Sequence, residues 1–175
     1  MKTGFLDFIA LLLYFEGGLV DNPNDPGGLT NMGITIHTYK HHTGITDEVQ
    51  ARQGLKELTE EEASKIYKLH YWDVVKGDRL PPGVDIFVAD TAVNIGPLTA
   101  MKMLQGILEV TQDGVYGKHT SDAIKTFDPE DLLEQLYLKR RAYYVEELGN
   151  MHFLRGWLNR INDLYDMLRF GEEIE

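Results

Sequence analysis

Apolar residues in this chain recur mostly at the spacing of amphipathic helices. The spacing predicts helices over residues 59–72, 85–95, 97–108 and 129–148, and a further apolar stripe from 157 to 168. Thr35 is expected to cap a helix that runs through His42, and Thr120 a short helix that ends near Phe127. Thr59 with Glu62 forms a capping-box pattern, so the helix over 59–72 has a strong start.

The first predicted helix differs from the others because it is apolar nearly all round. Residues 5–15 carry a single charge, Asp7, and the glycines at 17 and 18 end the helix. Such a helix is expected in the middle of a core. Residues 21–28 are rich in Pro, Gly, Asn and Asp, which predicts a loop or a short irregular hairpin. The chain is therefore expected to be mainly helical, with one irregular polar segment near its start.

Composition excludes several classes of protein. The 175 residues include 17 Lys+Arg and 28 Asp+Glu, a net charge of −11 with no basic run, which argues against nucleic acid as a partner. Apolar runs fall short of the roughly 20 residues of a membrane helix, so no stable membrane insertion is expected. Cysteine is absent, which excludes disulfides and thiolate sites. The apolar start has no small-residue cleavage site, so synthesis in the cytoplasm without a signal peptide is expected.

Glu16 is the first candidate for chemistry, because it ends an almost wholly apolar helix and precedes two glycines. Partial burial and the negative end of the helix dipole both raise the pKa of a carboxyl group at such a position. A protonated carboxyl near neutral pH is what a general acid needs to protonate a leaving oxygen. The alternative is a glutamate that only caps the helix end or is solvated.

Polar residues in the next segment are candidates to assist Glu16. A hairpin of this length brings Asp21, Asp25 or Thr30 to face Glu16, where a second polar group holds a water or stabilises a positively charged transition state. Asp21 and Asp25 are alternatively turn formers. A calcium-binding interaction module is a third possibility, although the segment lacks the ligand spacing of an EF-hand.

Other residues with potential functional side chains lie in less specific sequence patterns. His37 and His41 are four apart, but position 38 is Thr and no third ligand is evident, so no metal site is expected. Tyr71 and Trp72 are candidates to stack on sugar rings, or else pack in the core. Asn94 either makes buried hydrogen bonds with Asp90 or lines a cleft.

One long motif resembles a known family. Glu16-Gly-Gly is followed, after a short spacer, by Asp25-Pro-Gly-Gly-Leu-Thr30-Asn31-Met-Gly-Ile-Thr35. This pattern resembles glycoside hydrolase family 108, a family of bacterial and phage N-acetylmuramidases, some of whose members are labelled secretion activators. Later blocks resemble the same family and its associated C-terminal peptidoglycan-binding region, among them Tyr71-Trp72, residues 90–96, 113–117 and 156–160.

The resemblance implies an α+β, mainly α, lysozyme-like fold with a short irregular hairpin after the first helix. Residues 1–95 would form the catalytic part and residues 96–175 a helical peptidoglycan-binding-like part, packed into the same globule. Glu16 would be the catalytic acid, with Asp25 and Thr30 supporting it. The expected substrate contacts are Asp21, Asn31, Asn94, Tyr71 and Trp72. No cofactor is implied.

The implied function is hydrolysis of the bond between N-acetylmuramic acid and N-acetylglucosamine. The partner would be cell-wall peptidoglycan, and the protein a monomer acting at the cell wall or periplasm. A prophage-type endolysin of this kind would need a separate export route. Two questions stay open at this point: whether Asp21, Asp25 or Thr30 assists Glu16, and whether the anomeric configuration is retained or inverted. The competing hypothesis is a non-catalytic peptidoglycan-binding or secretion-related protein that keeps the fold.

Overall fold

The computed structural model describes residues 3–21, 28–146 and 151–171. Nine helices and three strands lie in this part of the chain. They are, in chain order, α1 (Phe5–Phe15), β1 (Val20–Asp21), β2 (Leu29–Asn31), β3 (Ile34–Thr35), α2 (Ile36–Thr43), α3 (Glu48–Lys56), α4 (Glu60–Tyr67), α5 (Val84–Ile95), α6 (Pro97–Ile107), α7 (Lys118–Ile124), α8 (Pro129–Glu146) and α9 (Met151–Phe170). A π-helix at Lys68–Trp72 and a 3₁₀ turn at Gly77–Arg79 complete the described elements.

The chain divides into two compact units. The smaller unit comprises residues 9–70 and the larger one residues 1–8 and 71–175. In the smaller unit, β1, β2 and β3 form an antiparallel sheet in chain order, with Val20 opposite Thr30 and Asn31 opposite Ile34. The predicted hairpin after the first helix is therefore confirmed. No helix in the described ranges combines the length and the apolar character that a membrane span requires.

Capping explains why several helices begin where the sequence predicts. The Thr35 hydroxyl accepts the Thr38 N–H at 3.3 Å, which starts α2. Thr59 and Glu62 form the predicted capping box at the start of α4. Pro97 occupies the first turn of α6, where the missing N–H costs nothing.

The helix start predicted at Thr120 is wrong. The structure begins α7 at Lys118, with Gly117 at the cap position and no side-chain cap. Thr120 is instead buried and accepts a hydrogen bond from the Gln105 amide at 3.3 Å. The partner lies 15 residues away along the chain. The Thr120 hydroxyl therefore makes a tertiary hydrogen bond instead of the helix cap that the local pattern predicts.

The prediction that α1 lies in the middle of a core is only half correct. Phe8, Leu11 and Leu12 are buried, but Leu6 is 80% and Tyr14 is 53% exposed. These exposed positions share one side of the helix, since they are eight residues apart. An all-apolar composition does not reveal which side of a helix is covered.

The core of the larger unit is built around α5. Residues 84–92 are all buried, and α6 and α8 pack against α5 while α9 packs against α8. Asp90 on α5 accepts hydrogen bonds from Arg140 at 2.7 Å and from Arg160 at 2.6 Å, which joins α8 and α9 to this central helix. The chain has the mainly helical, lysozyme-like α+β fold expected from its sequence.

Candidate active site

A two-residue turn between β2 and β3 shapes the candidate site. Met32 and Gly33 connect the paired residues Asn31 and Ile34, with φ angles of 48° and 75°. Positive φ at both positions is the geometry of a type I′ turn, whose twist matches that of the flanking strands. Gly33 adopts this conformation without steric cost, whereas Met32 is a non-glycine residue in the left-handed region.

Glu16 meets this turn directly after the end of α1. Its N–H still donates to the Leu12 carbonyl at 2.9 Å, so the helical hydrogen bonding extends to Glu16, which is half-buried. Its Oε2 atom lies 2.6 Å from the position that a Cβ atom on Gly33 would take. A side chain at position 33 would therefore displace the Glu16 carboxyl group, so this site requires glycine for space as well as for φ.

Tyr67 supplies the third group at the same place. Its Oη atom is also 2.6 Å from the Cβ position of Gly33, so the phenol and the Glu16 carboxyl group are neighbours. Tyr67 is buried and donates its hydroxyl proton to the Met32 carbonyl at 2.8 Å. The sequence pattern predicts no functional role for Tyr67. A contact between residues 35 apart along the chain leaves no local signal in one sequence.

The two faces of the sheet separate the other candidates. Residues paired across neighbouring strands point to the same face, and successive residues alternate. Thr30 therefore shares a face with its partners Val20 and Thr35, while Asp21, paired with Leu29, lies on the opposite face with Asn31. Thr30 is half-buried. The sheet thus separates Asp21 from Thr30, two residues that the sequence offered for the same task.

Asp21 and Asn31 are held by α3. Asp21 forms ion pairs with Arg52 at 2.6 Å and Lys56 at 3.4 Å, and the hydrogen bond from Arg52 is the main cause that lowers the pKa of Asp21. The buried Asn31 amide donates to the Leu55 carbonyl at 2.9 Å. Two cations on Asp21 also leave that carboxylate poorly suited to calcium. Asp25 lies outside the described residues.

The remaining candidates belong to the larger unit. Trp72 is fully buried, packs on Phe8 with ring centroids 5.4 Å apart, and donates its indole N–H to Asp78 at 2.9 Å. Tyr71 is half-buried. Asn94 is exposed near the end of α5, where its amide donates to the Asp90 carbonyl at 2.8 Å. Of these three side chains, Trp72 has no free face for a sugar ring.

The two glycines that follow Glu16 have few neighbours among the residues that the structure describes. Among the described residues, no atom lies within 4 Å of a Cβ position on Gly17 or on Gly18. Both glycines are exposed. The described residues therefore leave room for a substrate beside the Glu16 carboxyl group.

Three histidines of the smaller unit, His41, His42 and His70, lie next to one another. The His42 Nδ1 and His70 Nε2 atoms lie 3.0 Å apart, within hydrogen-bonding distance. Burial, with added repulsion from His42 and His41, lowers the pKa of His70. Across residues 3–21, 28–146 and 151–171, no group of three His, Asp or Glu side chains has a metal-binding arrangement.

Comparison with known proteins agrees with this fold and with the sequence motif. The family model for glycosyl hydrolase 108 matches residues 9–96, and one described as a predicted peptidoglycan domain matches residues 99–162. A search of curated proteins found no match.

A solved structure, that of Brucella abortus SagA, is 36% identical in sequence, with a TM-score of 0.85. The match covers 94% of this chain and 92% of SagA. The resemblance noted in the motif is thereby confirmed, and the matched families point to hydrolysis of peptidoglycan in general. The chain belongs to the glycosyl hydrolase 108 family.

Proposed function

We propose that this protein is an N-acetylmuramidase in which Glu16 is the general acid. The reaction cleaves the glycosidic bond between N-acetylmuramic acid and N-acetylglucosamine. The observation that carries this proposal is the placement of the Glu16 carboxyl group at the end of α1, against Gly33 and beside the Tyr67 hydroxyl. We assign catalysis to residues 1–95 and peptidoglycan binding to residues 96–175 of a monomer acting at the cell wall.

We assign to Tyr67 the role of favouring the protonated form of Glu16. Its only hydroxyl proton is donated to the Met32 carbonyl, so the phenol oxygen presents lone pairs in its other directions. A neutral carboxyl group can donate a hydrogen bond to those lone pairs, whereas a carboxylate is repelled by them. The negative end of the α1 dipole acts in the same direction. In this proposal Glu16 therefore supplies the proton for the leaving oxygen.

The chemical step begins with the transfer of that proton. Glu16 transfers it to the glycosidic oxygen as the bond to the anomeric carbon breaks. Water adds its hydroxyl group to that carbon, and the proton released by the water replaces the one that Glu16 gave up. We assign positioning of the water to Thr30 and Asp25, and contacts to the glycan to Tyr71 and Asn94.

Three of the sequence candidates take structural roles in this proposal. Asp21 and Asn31 attach the sheet to α3, and Trp72 fills the core of the larger unit. Asn31 and Trp72 are buried and Asp21 is paired with two cations, so their use for substrate would break these contacts, whereas Asn94 is exposed.

Tyr67→Phe tests the arrangement around Glu16 through the pH dependence of activity. Removal of the phenol oxygen takes away the acceptor for a protonated Glu16, so the pKa of Glu16 should fall. The alkaline limb of kcat/KM should then move to lower pH by about 0.5–1 unit, the equivalent of one hydrogen bond. The measurement is the initial rate of clearing of purified sacculi from pH 4 to pH 9.

Tyr39→Phe is the matched control, because it removes a phenol oxygen from the same unit. Its alkaline limb should coincide with that of the wild type. If the alkaline limb of kcat/KM in Tyr67→Phe coincides with that of the wild type, even with reduced activity, then Tyr67 has a purely structural role.

Turbidity loss of purified sacculi tests the function itself. We expect the purified chain to clear sacculi and release soluble fragments. A chain that binds sacculi but releases nothing would support the competing non-catalytic function.

A further inference from the structure

A groove in the larger unit lies between α6 and α8, outside the residues assigned to catalysis. Its volume is about 340 Å³. The residues that line it are Leu98, Thr99, Lys102, Met103, Gln112, Lys139, Ala142, Tyr143 and Glu146. All of them except Leu98 fall within residues 99–162, the segment matched by the predicted peptidoglycan domain.

Two lysines give the groove a positive charge in an otherwise acidic protein. Lys102 comes from α6 and Lys139 from α8, and both are exposed. In the part of the chain that the structure describes, neither ammonium group forms an ion pair. Glu146 is the single acidic residue of the lining, so the groove keeps a net positive charge. Unpaired cations in a concave surface attract anionic groups of a ligand.

The rest of the lining suits a short peptide with small apolar side chains. Leu98 is 56% exposed, and it lies with Ala142 and the Tyr143 ring along the groove. Thr99 and Gln112 supply a hydroxyl and an amide that can bond to peptide groups. The Gln112 amide rests against Gly106, where a Cβ atom would lie 3.3 Å from it.

We propose that this groove binds the carboxylate-bearing peptide stem of peptidoglycan. Such stems combine alanine methyl groups with free carboxylates, which match the apolar wall and the two lysines of the groove. The proposal rests on peptidoglycan being the substrate, as proposed above, and it adds a binding site for the stem to the catalytic site for the glycan.

Binding to two forms of peptidoglycan tests this assignment. Glu16→Gln serves as the parent chain, so that sacculi are not degraded during the measurement. Lys102→Gln with Lys139→Gln should weaken binding to intact sacculi about tenfold, which corresponds to about 1.4 kcal/mol. On glycan strands stripped of their stems by an amidase, the parent and the double variant should bind equally.

Lys118→Gln with Lys125→Gln is the matched control. Both lysines lie outside the groove but within the same matched segment, and both pair with Asp122. This control removes the same charge and should change binding to intact sacculi less than twofold. An equal loss in the control would mean non-specific charge attraction and would overturn the proposal.

Two other outcomes would also overturn it: tight binding of intact sacculi by the groove variant, or an equal loss on stripped strands. Failure of the proposed function is a separate result, because it appears as no clearing by the wild-type chain, whereas these binding measurements do not depend on hydrolysis.

Discussion

Glu16→Gln is expected to lower the rate of peptidoglycan clearing about a thousandfold, within the range typical of a lost general acid. Glutamine has the size and shape of glutamate, but its amide has no acidic proton for the leaving oxygen. The side chain still fits between Gly33 and Tyr67, so the fold should be retained. The measurement is the initial clearing rate at the pH optimum of the wild type, with circular dichroism to check the fold.

Asp21→Asn is the matched control for this loss. It removes a carboxylate from the same unit, but Asp21 is paired with Arg52 and Lys56 of α3. Activity of Asp21→Asn should stay within a few-fold of the wild type. A comparable loss in both variants would show that Asp21 takes part in the reaction. Full activity in Glu16→Gln would remove Glu16 from the mechanism.

Arg140→Met is expected to lower the free energy of unfolding by about 3–5 kcal/mol, the usual cost of breaking a buried ion pair from one side. Arg140 has no exposed surface. It donates to Asp90 at 2.7 Å and to Thr91 at 3.2 Å, and the Tyr144 hydroxyl accepts from its Nη2 atom at 2.9 Å. Methionine fills part of the volume but leaves the buried Asp90 carboxylate with Arg160 as its remaining cation and a longer hydrogen bond, 3.4 Å, from the Asn94 amide.

The effect of Arg140→Met should be measured by urea unfolding at pH 7. Burial alone would raise the pKa of Asp90, but the guanidinium groups of Arg140 and Arg160 outweigh it and hold that pKa below its usual value. A lowered folded-state pKa stabilises the protein fully above the unfolded-state pKa, and this stabilisation is lost as pH falls through the folded-state value. The difference between variants should therefore be fully present at neutral pH.

Arg141→Met is the control for Arg140→Met, since Arg141 is the next residue of α8 and is exposed. Its free energy of unfolding should stay within about 0.5 kcal/mol of the wild type. Equal stability of the two variants would contradict a structural role for the buried ion pairs.

Local chemistry accounts for the parts of the fold that the sequence predicted well. The starts of α2, α4 and α6 depend on residues within three positions of the helix end: capping threonines at α2 and α4, and a proline in the first turn of α6. The sequence around each start is therefore enough to predict it. The ends of α1 and α5 follow similarly from the glycines after them. The π-helix after α4 and the buried Thr120 depend on tertiary packing, which a local pattern does not contain.

The same distinction between local sequence signals and tertiary contacts applies to the residues of the candidate site. The sequence indicates Glu16 as a candidate because its helix, its terminal position and the following glycines are adjacent in sequence. Tyr67 has no such local signal, because it reaches the candidate site from a helix more than thirty residues beyond the turn. The substrate contacts predicted for Asp21 and Asn31 depend on which face of the sheet these residues occupy. Their pairing with α3 depends on strand register, which the short polar segment does not specify.

The reducing ends of the products test the central claim most directly. Sacculi digested by the wild-type chain should be reduced with borohydride, and the released muropeptides analysed by mass spectrometry. An N-acetylmuramidase creates new reducing ends on N-acetylmuramic acid, so the reduced sugar should be muramitol in wild-type digests and absent in those of Glu16→Gln. New reducing ends on N-acetylglucosamine, or muramitol formed equally by Glu16→Gln, would contradict the proposed reaction.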